Sequence, residues 1–231
     1  TSDFARVIAV NLAAPVMMQA EAVARMKPGS VVINTASLAG LVPNPRRNAY
    51  GAAKAAIVDL TARSAPALAQ KGIRVCGVAP GYVLTDMVAT LARDGNIDLG
   101  AVRRRIPLGR LARPDEIASV VAFLASDAAV GCMGQTLAVD GGWSSFNMGG
   151  DACPNAQPSP AAEISPPSDA PGKTLVLGFG DLPTTALVDA MQAADTCSVT
   201  LGPETGAEEL AMQVAAVAGA QPITSVIVLA S

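Results

Sequence analysis

The apolar positions along the chain change period from segment to segment. Over residues 2–27 they recur at helical spacing, with Phe4, Val7, Ile8 and Leu12 on one stripe. SVVINTAS (30–37) is instead a short β-branched run after Gly29, the pattern of a parallel strand buried on both faces. A helical pattern returns over 48–71 and closes at Gly72, and IRVCGVAPG (73–81) predicts a second strand. RPDEIASVVAFLAS (113–126) predicts a helix: Pro114 suits its first turn, and Asp115 and Glu116 suit the positive end of its dipole. QTLAVDGG (135–142) predicts a third strand. Strands spaced by helices predict a doubly wound, parallel α/β sheet.

The pattern stops at DACPNAQPSPAAEISPPSDAP (151–171), which holds six of the 17 prolines and little that is large and apolar. This is the composition of a linker, semi-extended where the prolines cluster. After it the α/β grammar restarts. KTLVLGFG (173–180), CSVTLG (197–202) and ITSVIVLAS (223–231) read as strands; 185–194 and 206–219 read as helices. The domain division is therefore 1–150, a linker at 151–171, and a partial α/β unit at 172–231. The chain opens on Thr1 inside a helical pattern and closes within an apolar strand, so a fragment cut inside a domain at each end is expected.

Composition narrows the function classes. Hydrophobic residues make up 51% and aromatics 3%, suiting helices packed tightly on a sheet. A net charge of −3 gives no electrostatic footprint for nucleic acid. Apolar runs are broken before reaching membrane-spanning length, and no signal peptide opens the chain, so no membrane partner is expected. Four scattered cysteines and no histidine make a metal site improbable and suggest reduced thiols in the cytoplasm.

Without histidine, acid–base chemistry needs another group. In NAYGAAKAAI, Tyr50 and Lys54 stand four residues apart on one helical face. A free phenol titrates near ~10, too high for a base at neutral pH. A lysine ammonium about 4 Å away, at an effective dielectric of about 20, favours the phenolate by about 4 kcal/mol, or ~3 pKa units. That brings a tyrosine into the range useful for proton transfer. Ser37 falls at the end of a strand, where open α/β sheets bind ligands, and could hold a substrate oxygen. Asn11 falls on the apolar stripe of the first helix and must find partners. The plainer alternatives are a packed tyrosine with a solvated lysine, and an asparagine bonded only to nearby backbone.

Asn11, Ser37 and Tyr50-Gly-Ala-Ala-Lys54, in this order, resemble the Asn–Ser–Tyr–Lys tetrad of the short-chain dehydrogenase/reductase family. GIRVCGVAPGYVLTDM, PLGRLARPDEIASVVAFLASD and GQTLAVDGGW extend the resemblance over residues 1 to about 145. It implies a Rossmann-like fold and an oxidoreductase similar to 3-oxoacyl-carrier-protein reductases, using NAD or NADP on a small carbonyl/alcohol substrate. Tyr50 would be the acid/base. Lys54 would lower its pKa and bond the nicotinamide ribose, Ser37 would hold the substrate oxygen, and Asn11 would hold a water in a relay to Lys54. Pro80, Gly81, Val83 (through its backbone) and Thr85 would contact the nicotinamide. Residues 86–110 would form a substrate lid. Arg103, Arg104 and Arg105 in it read as a site for an anionic carrier or as a solvated helix end. A homo-oligomer through the helices at 2–27 and 48–71 is also implied.

Two departures stand inside the resemblance. Cys76 replaces the family's usual asparagine, as a packing change, and Pro66 interrupts an expected helix, where it removes a hydrogen bond or kinks the chain. A larger departure is the absence from 1–150 of the glycine-rich turn that cradles cofactor phosphates. By resemblance this block starts after the family's fourth strand, leaving the sheet incomplete at its N-terminus. The 172–231 unit resembles the missing half only weakly, because Gly178 and Gly180 lead into Asp181, Leu182 and Pro183. The favoured arrangement is a reductase domain followed by the start of a degenerate second one; the alternative is a permuted domain whose sheet 172–231 completes. A non-catalytic interaction or oligomerisation module, above all in 172–231, is the rival function.

Overall fold

The computed structural model describes residues 2–43, 47–146 and 150–154, the three strands of the 172–231 unit, and Met212. The elements in chain order are α1 (Ser2–Ile8), a π-helical turn (Ala9–Ala13), α2 (Ala14–Val23), β1 (Val31–Thr35), α3 (Leu38–Leu41) and α4 (Asn48–Ala69). They continue with β2 (Arg74–Pro80), α5 (Asp86–Arg93), α6 (Leu99–Arg105), α7 (Pro114–Ala125), a 3-10 turn (Asp127–Cys132), β3 (Thr136–Val139) and α8 (Trp143–Phe146). The last strands are β4 (Lys173–Phe179), β5 (Thr196–Leu201) and β6 (Ile223–Ala230). The helices expected over 185–194 and 206–219, and the turn from Gly180 to Pro183, lie outside the described residues.

All six strands form one parallel sheet in the order β3-β2-β1-β6-β4-β5. The strands of 172–231 therefore lie beside β1, the pairing required by the permuted alternative rather than by two separate sheets. The physical reason lies in β1: Val31 to Asn34 are all buried, so the strand needs a neighbour on each edge, and β6 supplies the second one with Val31 opposite Ser225.

Side chains alternate across β1 and β2 as the pleat demands. Val31, Ile33, Cys76 and Val78 face α7, packing on Val121, Leu124 and Ala125. Val32 and Val75 face α4, with Leu68 and Ile73. Between the helices and this second face lies a buried polar bridge: Asn34 Nδ2 donates to Gln19 Oε1 at 2.9 Å and to Thr61 Oγ1 at 3.1 Å. It ties α2, β1 and α4 in one register. Arg74, at the start of β2, donates to the carbonyls of Leu124, Ala125 and Ser126, closing the C-terminus of α7 with a cation where the helix dipole favours one.

Two local expectations change. On the stripe Phe4–Val7–Ile8–Leu12, Phe4 is 56% exposed, while Val7, Ile8 and Leu12 are half-buried and Asn11 is buried. A π turn interrupts the helix. Ala14 N–H donates to Ala9, five residues back, which rotates the following face. Pro15 comes straight after it and cannot donate to the carbonyl of Asn11, so the wider turn absorbs a proline that an ordinary helix would resist. Pro66 sits in the last turns of α4, which runs on to Ala69, so the interruption falls at the far end from Lys54. Cys76 is fully buried, with its Sγ 3.4 Å from the Cys132 carbonyl oxygen, as a packing replacement requires.

Candidate active site

The carboxyl ends of β1 and β2 open into a cleft of about 290 Å³. Ser37, Tyr50, Pro80, Gly81, Val83 and Thr85 all line it. Six residues separated by up to 48 positions thus meet at one sheet edge, where parallel strands leave their last carbonyls and following turns. Asn11 and Lys54 do not line the cleft; they stand behind it.

Ser37 follows β1 and caps α3: its Oγ accepts from Ala39 N–H at 3.2 Å. This fixes the oxygen while leaving its proton available to a substrate. Helix α3 is pressed onto α4 because Gly40 has no side chain. A Cβ there would lie 2.5 Å from the backbone carbonyl carbon of Lys54 and 2.7 Å from Ala55 N. Gly51, 3.1 Å from the Ala39 carbonyl oxygen by the same measure, completes this approach. Two glycines thus set the distance between the turn carrying Ser37 and the helix carrying Tyr50 and Lys54.

Lys54 is fully buried, which overturns the solvated-lysine alternative. Its Nζ donates to the Thr35 carbonyl at 3.1 Å and lies 5.6 Å from the centre of the Tyr50 ring. Burial pulls its pKa from the ordinary 10.5 down to about 7, because the low-dielectric surroundings penalise the charged form. Near neutrality this amine is divided between its charged and neutral forms, and only the charged form favours the phenolate. Asn11 Nδ2 donates to the Val7 carbonyl at 3.1 Å, the plain backbone bond of the alternative reading, while its buried Oδ1 has no hydrogen-bond partner.

The far wall is built on β2. Gly81 lies against the turn after β3, where a Cβ would come within 2.8 Å of Asp140. Asp140 is itself held by the backbone N–H groups of Gly142 and Ser144, both at 2.9 Å. The DGGW sequence therefore buttresses the cleft rather than lining it. Gly141 and Gly142, at φ +65° and +92°, make that turn possible. Val83 forms a parallel bridge with Ala112, using the Tyr82 carbonyl and the Leu84 N–H. In extended backbone this directs the N–H and C=O of Val83 itself away from Ala112. Thr85 Oγ1 accepts from Val88 N–H at 3.3 Å and starts α5.

Helices α5 and α6 form the span expected as a lid, with Met87, Val88, Leu91 and Ile97 on the cleft. Two side chains of the arginine run have partners in the fold. Arg104 pairs with Asp151 at 3.2 Å, and the Arg105 guanidinium lies 4.8 Å from the Trp143 ring. Sequence reasoning missed Arg47, which lines the cleft from the N-terminal end of α4, and Tyr82, whose ring packs 5.2 Å from Trp143. It also missed Gly40 and the Pro15 signal for the π turn.

The family model described as enoyl-(acyl carrier protein) reductase matches residues 1–144. An uncharacterized short-chain type dehydrogenase/reductase of Sinorhizobium fredii is 48% identical over 179 residues, 77% of this chain and 33% of that protein. Cis-4-hydroxycyclohexanecarboxylate dehydrogenase of Sinomonas cyclohexanicum is 42% identical over 141 residues, 60% of this chain and 55% of that one. Among solved structures, 4-hydroxyisoleucine dehydrogenase complexed with NADH is 31% identical, with a TM-score of 0.59 over 63% of this chain and 61% of that one. This chain belongs to the short-chain dehydrogenase/reductase family, and its α/β sheet is of the Rossmann-like kind. The chain spans about half the length of the Sinomonas relative and a third of the Sinorhizobium one.

Proposed function

We propose that the cleft is the acid–base half of an NAD(P)-dependent oxidoreductase that interconverts a carbonyl and an alcohol. The observation that carries this is the buried amine of Lys54 directly behind Tyr50, with Ser37 on the same cleft. A nicotinamide cofactor, NAD or NADP, would supply or accept the hydride. Pro80, Gly81, the outward-facing backbone of Val83, and Thr85 would hold its nicotinamide end, and Lys54 its ribose. In the reducing direction Tyr50 donates its phenolic proton to the substrate oxygen, while the Ser37 hydroxyl donates a hydrogen bond to that oxygen and orients it. Lys54, titrating near 7, can stabilise the phenolate while charged and pass a proton forward as it discharges. The unpartnered Asn11 Oδ1 suits a water that would return protons to Lys54.

The relatives' names agree with this reading: two of the three are dehydrogenases of defined alcohols, one of them complexed with NADH. The test is Tyr50→Phe in the full-length protein. Turnover should fall to background while NADH and NADPH bind nearly as before; retained turnover refutes the assignment.

We further propose 151–171 as the boundary between a catalytic block, 1–150, and a strand-bearing unit, 172–231. The 179-residue Sinorhizobium match is longer than the first block, so that relative's similarity continues past residue 150 in a protein about three times the length of the match. The length of that relative favours a protein with two related units, whereas the pairing of β6 with β1 favours a 172–231 unit that completes the sheet of 1–150. Titration with NADH and NADPH separates the possibilities: one site per full-length chain supports one working and one degenerate unit. The exposed apolar side chains Phe4 and Met17 on α1 and α2 support a homo-oligomer through that face.

A further inference from the structure

The cleft carries one charge that the proton chemistry does not use. Its walls are otherwise apolar or neutral: Leu38, Tyr82, Met87, Val88, Leu91 and Ile97 face the opening from both sides. Arg47 is the single charged side chain among the described lining residues, and no carboxylate among the described residues lies within ion-pair distance of it. Three arginines near the lid are engaged: Arg104 with Asp151, Arg105 over Trp143, and Arg110 with Glu116 at 2.6 Å. Arg47 is the one that lines the cleft.

Arg47 is the exposed N-cap of α4, three residues before Tyr50. Its guanidinium lies 6.0 Å from the centre of the Tyr82 ring, and Tyr82 is backed in turn by Trp143. The cation and the Tyr50 ring both line the cleft.

We infer that the compound processed in this cleft carries a carboxylate, bound by Arg47, on a small alicyclic or branched aliphatic body bearing the carbonyl or alcohol. The inference rests on the cleft being the reaction site and adds the substrate class. A planar guanidinium presents a fork that matches a carboxylate two bonds at a time. A phosphate would call for several converging donors, which the apolar walls do not offer. The apolar side chains of the lining suit the hydrocarbon body, and a cleft of about 290 Å³ that would also take the nicotinamide end leaves room only for a small molecule. A neutral ester of the same compound would leave Arg47 without its partner.

The test uses oxocyclohexanecarboxylate and its methyl ester with the full-length protein, the same chain carrying Arg47→Gln, and Arg47→Lys. Binding is measured by calorimetry with NAD(P)⁺ present, and turnover is measured in parallel as reduction of the carbonyl by NAD(P)H. The wild type should prefer the acid by about tenfold or more, the scale of one charge-assisted hydrogen-bonded pair. The preference should shrink to within about threefold in Arg47→Gln and recover in part in Arg47→Lys, which keeps the charge but not the fork. Equal affinity for acid and ester, a preference that survives Arg47→Gln, or no binding of either compound overturns the inference. So does a loss in Arg47→Gln confined to NADPH affinity. An acid preference that depends on Arg47 in a protein without turnover sustains the inference and refutes the oxidoreductase reading instead.

Discussion

Replacing Lys54 with methionine should make the protein more stable while disabling it. Methionine fills nearly the same space without a charge, so the packing of α4 on β1 survives. The magnitude follows from the linkage between protonation and folding. The amine titrates at about 7 when folded against 10.5 for an ordinary lysine, so burying it costs roughly 4 kcal/mol at pH 7. Its hydrogen bond to the Thr35 carbonyl returns about 1 kcal/mol, and the variant loses that bond too. A net gain of about 1–3 kcal/mol remains, or a rise in Tm of roughly 3–10 °C for a chain of this size. The sign with pH is specific. Below pH 7 both states hold the proton and the full cost applies. Between 7 and 10.5 the unfolded chain keeps a proton that the folded one has lost, so wild-type stability rises with pH; above 10.5 the cost is gone. Chemical denaturation at about pH 6.5, 8 and 9.5 measures both. The wild type should climb across this series relative to Lys54→Met. A variant less stable than the wild type at every pH, or one with an identical pH profile, refutes the account of Lys54 as a stability cost retained for chemistry.

Three further outcomes are expected. Gly40→Ala drives a methyl group to 2.5 Å from the Lys54 backbone, so α3 must shift; a loss of about 3 kcal/mol or more and a fall in kcat are expected from thermal melts and turnover. Glu116 is held from 4.5 down to about 2, chiefly by the Arg110 side chain, so its contribution is complete above pH 4.5 and is lost as the pH falls toward 2. Glu116→Gln should cost about 1–2 kcal/mol at pH 7 and flatten the acid limb of the denaturation midpoints, with little change in midpoint near pH 2. Thr61→Val removes one of the two acceptors of the buried Asn34 amide and should cost about 1 kcal/mol in urea denaturation.

The strands β1 and β2 and the helices α4 and α7 were legible because period and composition agree there. Val31 to Ile33 are branched, apolar and buried, and α7 starts where proline and two acids predict a start. The small helices α5 and α6 were covered only by the expectation of a lid, since the segment is short and its apolar residues line a cleft instead of a core. The π turn was illegible by period, because one extra residue per turn breaks the count that identifies a face. Its trace in sequence is a proline four residues after an asparagine. The family resemblance named Ser37, Tyr50, Pro80, Gly81, Val83 and Thr85, which line one cleft, and Lys54, which is buried behind Tyr50. Arg47 was passed over because a single arginine beside a masking run of prolines and arginines carries no periodic or motif signal.

By itself the sequence determined the alternation of strands and helices and the pairing of a tyrosine with a lysine one helical turn away. These are local properties, carried by residues within a few positions of one another. Tertiary structure alone decided that β6 lies beside β1, that Gly40 brings α3 onto α4, and that Lys54 is buried and therefore titrates near neutrality. A pKa depends on the dielectric around a group, and that is set by elements distant in the chain. The same spacing of tyrosine and lysine on an exposed helix would be only a surface pair; packed against the end of β1, the lysine is buried beside the tyrosine ring.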